Sequence, residues 1–99
     1  MRVLLTGASG FLGRSVVELL SRQGIDTVVA GRRPLHGVNA NKFLQVDFLS
    51  SVDFNELIKS SGATHLLHFA WFTEHGKYWT SSLNLRWIDA TVRLTEAFC

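Results

Sequence analysis

Eight residues near the start of the chain, Thr6-Gly7-Ala8-Ser9-Gly10-Phe11-Leu12-Gly13, restrict its fold more than any other stretch. They follow the apolar run Arg2 to Leu5 and lead into a helical pattern, so a strand, a tight turn and a helix start are stacked in close succession. That is the layout of a phosphate cradle. Gly7 permits a sharp exit from the strand. Gly10 removes a Cβ where backbone must approach a pyrophosphate, and Gly13 lets the helix pack close to the sheet. Unpaired amide donors at the helix start, around Phe11 and Leu12, face an anion together with the positive end of the helix dipole. Three glycines at this spacing are a weak signal alone, and their place between strand and helix points to a dinucleotide.

The chain has 99 residues, enough for one small domain, and 46% apolar content supplies a core. A formal charge of +2 with scattered basic residues excludes a nucleic-acid reading, although Arg32 and Arg33 form one doublet. The single cysteine, Cys99, allows no internal disulfide and fits a reducing compartment. The apolar run after Met1 is too short for a signal peptide, and no stretch approaches the roughly 18 apolar residues that span a bilayer. A cytoplasmic, non-membrane location is therefore expected.

Strand and helix signals alternate from end to end, which predicts an α/β fold with a parallel sheet and helices on both faces; read with the glycine turn as a doubly wound sheet, it takes the strand order 3-2-1-4. Expected strands are Arg2–Thr6, Thr27–Ala30, Phe43–Val46 and Thr64–Ala70. The last is apolar at nearly every position and is expected to be the most buried. Expected helices begin with Phe11–Gln23, whose stripe is Leu12, Val16, Leu19 and Leu20 and whose stop is Gly24. A second, Asp53–Lys59, has Asp53 and Glu56 at capping-box spacing and Gly62 as its exit. The third, Lys77–Phe98, carries Trp79, Leu83, Trp87, Ala90, Leu94 and Ala97 on one stripe and Leu85, Ile88 and Val92 beside it. That second apolar face exceeds what a monomer needs, so a homodimer through helix 77–98 is expected.

Ligands of such sheets lie beyond the carboxyl ends of the strands, where strand order reverses. Here the crevice would lie between strands one and four, walled by the glycine turn and by His68, Phe69, Ala70 and Trp71. Ala70 is small where a ribose and diphosphate must come close. His68 is read as a hydrogen-bonded core histidine. After strand two the chain offers Gly31-Arg32-Arg33 and no acid, while Asp26 lies at the wrong end, which favours NADP over NAD. Asp47 ends strand three, where it either accepts from an adenine amine or caps a turn. His36, His65, His68, His75 and Cys99 show no metal-ligand spacing. Tyr78 has Ser82, not lysine, one turn later, and is read as an anchor at the helix start.

The glycine run, the AGRR after strand two, VDF at strand three, LHFAW at strand four and the pattern from Asn84 to Phe98 together resemble an extended short-chain dehydrogenase/reductase. More narrowly, they are similar to the N-terminal portion of the NAD-dependent epimerase/dehydratase group, which acts on nucleoside-diphosphate sugars. The resemblance implies a partial NAD(P)-binding Rossmann domain over residues 1–99, with no second domain in this chain. It implies that Gly7, Gly10, Phe11, Leu12 and Gly13 hold the diphosphate, Arg32 the 2′-phosphate, Asp47 the adenine and Ala70 the ribose region. Asn84 matches the family's helix asparagine, which supports the active-site backbone and a water. Family members carry a serine or threonine and a Tyr-x-x-x-Lys pair further along than Cys99. The chain is therefore expected to hold half a cofactor site and no catalytic residue of its own. A non-catalytic NADP-sensing protein and a nonfunctional fragment are the alternatives.

Overall fold

The computed structural model describes residues 1–32, 40, 42–50, 52–70 and 83–99, without the side chains of Leu83 and Asn84. Arg33, Trp71, Tyr78 and the expected helix start at 77–82 lie outside the described residues. The elements run β1 (Arg2–Thr6), α1 (Phe11–Arg22), β2 (Asp26–Gly31), β3 (Lys42–Gln45), α2 (Phe54–Ser61), β4 (His65–His68) and α3 (Leu83–Phe98). The four strands form one parallel sheet in the order β3-β2-β1-β4.

Consecutive strand residues turn to opposite faces, and each face has its own apolar cluster. Leu4, Val28 and Ala30 join Phe48, Phe54, Leu57, Ala90 and Leu94, from the β3–α2 connection, α2 and α3. Leu5 and Val29 point the other way and pack with Ala8 and Val17 at α1. Side chains on both faces therefore need apolar cover, which is why β1 and β2 read as unbroken hydrophobic runs.

Two burial expectations are corrected. β4 is less buried than β1 or β2: His65 is exposed and Leu66, Leu67 and His68 are half-buried. It pairs with β1 alone among the described strands. On α1 the buried positions are Gly13 and Val17, flanked by Val16 and Leu20, whereas Leu12 and Leu19 are exposed. Gly13 is pressed against the Gly7–Ala8 turn, and Val17 meets Leu5 and Val29 of the sheet, a contact line that leaves Leu12 and Leu19 outside.

The remaining elements lie close to their expected bounds. Asp53 caps α2 by accepting from the Glu56 amide at 3.1 Å. Glu56 does not return the bond that a full capping box implies; its carboxylate instead accepts from Ser60 Oγ at 3.2 Å. Gly62 ends the helix at φ +63°. On α3, Ala90 and Leu94 are buried and Trp87 and Ala97 pack beside them, while Leu85, Ile88 and Val92 remain exposed.

Candidate cofactor crevice

β1 leaves the sheet through Gly7, whose φ of +80° is left-handed backbone that favours glycine. Space enforces the same choice. A Cβ on Gly7 would lie 2.5 Å from the Ala70 nitrogen and 2.5 Å from the Phe69 carbonyl carbon. The end of β1 and the segment after β4 therefore touch main chain to main chain at the point where strand order reverses. The turn closes with the Gly10 amide donating to the Gly7 carbonyl at 3.1 Å.

Gly10 is the N-cap of α1, with extended backbone at φ −78° and ψ 167°, and no side chain bonds the cap. There is no acid in the first turn of α1. α2 provides the contrast, because Asp53 caps it and Glu56 lies in its first turn. The leading amides of an α-helix have no partner inside the helix, and in α1 those of Phe11 and Leu12 lie on an exposed segment. Dipole and donors together make that end attractive to an anion. Gly13 has a different role from the expected one. A Cβ there would run into the carbonyl of Gly7 and come within 3.0 Å of the Ala8 Cα, so its close approach is to the turn itself.

The other expected positions are distributed along the same carboxyl edge. Arg32 is exposed directly after β2. Asp47 follows β3, and its Oδ1 accepts from the Leu49 amide at 3.0 Å, so one carboxylate oxygen already holds a turn. Asp26 opens β2 at the opposite edge, where it pairs with Arg2 Nε at 2.7 Å. Asn84 lies in the first turn of α3. Among the described residues, no group of three or more His, Cys, Asp or Glu could hold a metal ion. No helix among them is long and apolar enough to cross a membrane.

Beneath the crevice lies a polar cluster that sequence reasoning only partly anticipated. The Ala70 amide donates to Thr6 Oγ1 at 3.2 Å, and the same hydroxyl lies 2.5 Å from His68 Nδ1. On the far side of the ring, His68 Nε2 is 2.9 Å from Thr91 Oγ1 of α3. In the neutral ring one nitrogen donates and the other accepts, and each has a threonine hydroxyl as its partner. Burial lowers the His68 pKa below its ordinary value of 6.5 and favours this neutral form. His68 was legible as a bonded core histidine. Thr6 and Thr91 were missed, although a threonine next to a glycine turn and another between Trp87 and Leu94 on the buried stripe were available signals.

The sequence matches the model of the NAD dependent epimerase/dehydratase family over residues 3–99. It is 32% identical over 102 aligned positions to the uncharacterized protein YbjS of Escherichia coli, covering 97% of this chain and 29% of that protein. Among solved structures, MoeE5 in complex with UDP-glucose and NAD superposes with a TM-score of 0.78 at 30% identity, covering 98% of this chain and 32% of that one. The UDP-glucose 4-epimerase of Thermus thermophilus, in complex with NAD, gives a TM-score of 0.81 at 24% identity over 98% of this chain and 33% of its own, a likeness of fold. The chain thus spans about a third of the length of these proteins.

Proposed function

The chain belongs to the NAD dependent epimerase/dehydratase family, and on that footing we propose that it forms the dinucleotide-cradling part of an enzyme acting on a nucleoside-diphosphate sugar. One observation carries the reading. The turn at Gly7 has no room for a side chain, and it delivers an uncapped helix start to the point where strand order reverses. A diphosphate fits that end of the helix because its charge meets both the free amides and the dipole.

In this reading Gly7, Gly10, Phe11, Leu12 and Gly13 hold the diphosphate through main-chain donors. Ala70, small and pressed against Gly7, forms the wall beside the ribose. Asp47 keeps one carboxylate oxygen for the adenine amine while the other holds its turn. The nicotinamide, when bound, supplies a hydride donor or acceptor. The solved relative MoeE5 holds UDP-glucose together with NAD, which supports a nucleotide sugar as the second ligand. Arg32 favours a 2′-phosphate, because a guanidinium matches phosphate and no acid ends β2 to meet a free ribose hydroxyl. MoeE5 and the Thermus epimerase are in complex with NAD, so the preference for NADP rests on Arg32 and its neighbour Arg33.

Calorimetric titration of the protein with NAD and with NADP tests both levels. Saturable heat with either cofactor is expected, and Arg32→Ala should weaken NADP about tenfold more than NAD, the cost of one charge-assisted contact. Absence of binding by both cofactors refutes the crevice assignment. Equal weakening of both refutes only the preference for the phosphorylated form.

A further inference from the structure

We propose that His68 is a positioning residue for the dinucleotide crevice, holding the Ala70 wall at its distance from Gly7 through the Thr6 hydroxyl. The inference rests on the cofactor reading above and extends it to a side chain that touches no ligand.

The connection is short and has little slack. Thr6 is fully buried and is the last residue of β1 before the turn. Its carbonyl accepts from the Phe69 amide at 3.0 Å and its hydroxyl from the Ala70 amide at 3.2 Å, so both residues of the opposite wall are bound to one threonine. The same hydroxyl lies 2.5 Å from His68 Nδ1, and the positioning role requires the tautomer in which Nδ1 accepts and so places the hydroxyl proton. The imidazole is held in place by the Phe48 ring, whose centroid lies 6.2 Å away at an edge-on angle, while Nε2 reaches Thr91 Oγ1 of α3 at 2.9 Å. Three elements, β1, β4 and α3, thus meet at one ring directly beneath the crevice.

A small displacement at this point has a direct consequence. The walls are already so close that a methyl on Gly7 would stand 2.5 Å from the Ala70 nitrogen. Loss of the proton acceptor at Nδ1 frees the Thr6 hydroxyl to rotate, and the Ala70 amide loses its aligned partner at the edge of the ligand space. Buried polar groups bonded in series depend on one another in this way. The two ring nitrogens have separable duties: Nδ1 sets the wall, while Nε2 ties α3 to the sheet.

The experiment measures NAD and NADP affinity by calorimetry, and stability by urea unfolding, in the full protein and four variants. His68→Leu and Thr6→Val remove the Nδ1 link, and each is expected to weaken the better-bound dinucleotide about tenfold, the usual effect of one unmade buried hydrogen bond. His68→Asn puts an amide oxygen near the position of Nδ1 and should restore affinity to within about twofold. Thr91→Val breaks the bond on the Nε2 side, and it should lower stability while leaving affinity within about twofold. Unchanged binding in Thr6→Val overturns the proposal even where His68→Leu does not fold. Equal loss of affinity in Thr91→Val, or no rescue by His68→Asn, also overturns it, since the ring would then act only through stability. If the unsubstituted protein binds neither dinucleotide, the cofactor reading itself has failed and this inference falls with it; if it binds and Thr6→Val binds as tightly, only the inference fails.

Discussion

Gly10 and Gly13 lie one helical turn apart, and replacing each with alanine separates shape from ligand binding. In Gly13→Ala the new methyl comes within 2.7 Å of the Gly7 carbonyl carbon and 3.0 Å of the Ala8 Cα, and closer still to the Gly7 oxygen. Alanine is favoured over glycine inside a helix by about 1 kcal/mol. Forcing a methyl into packed structure costs about 1–3 kcal/mol. The upper end applies here because the obstacle is main chain, in a turn closed by the 3.1 Å bond from Gly10 to Gly7. The packing cost wins, for a net loss of about 1–2 kcal/mol. Gly10→Ala has different physics. Its backbone is ordinary, its nearest atom would be 3.5 Å away, and alanine is poorer than glycine at an N-cap by only about 0.5 kcal/mol. The methyl would nevertheless stand between the leading amides of α1 and a diphosphate, so dinucleotide affinity should fall tenfold or more, about 1.4 kcal/mol. Urea unfolding and calorimetric titration of both variants supply the two numbers. A Gly13→Ala protein as stable as its parent refutes the packing argument, and full affinity in Gly10→Ala refutes the placement of the diphosphate.

Two further outcomes concern stability. Because burial lowers the His68 pKa, the unfolded chain takes up a proton more readily than the folded one at this position. The contribution is intact above about pH 6.5 and is lost as pH falls from 6.5 towards the lower folded-state value, a positive slope of stability with pH that His68→Asn should abolish. Unfolding midpoints across that window, compared between the two proteins, would show parallel curves if the assignment is wrong. Asp53→Ala removes the cap of α2 and should cost about 1 kcal/mol, read from denaturant midpoints; no change would mean that the Glu56 amide finds another acceptor.

Sequence alone determined the local chemistry of this protein. A strand of apolar residues running into Thr6-Gly7, a glycine at the N-cap of α1, Asp53 ahead of α2 and Gly62 behind it are instructions that a few adjacent residues execute, and each was realised at its expected place. The alternation of element types carried the parallel sheet, and the order β3-β2-β1-β4 is that of the doubly wound fold to which the glycine turn points. Periodicity could not specify which neighbour fills each face. Leu12 and Leu19 look like core on a helical wheel, yet α1 buries Gly13 against the Gly7–Ala8 turn and Val17 against the sheet, since the turn that delivers the helix decides which side of it faces inward. The partnership of Thr6, His68 and Thr91 was decided only by the tertiary structure. Three residues separated by 62 and 23 positions share one hydrogen-bonded cluster when the sheet and α3 close upon each other, and no local rule encodes that meeting.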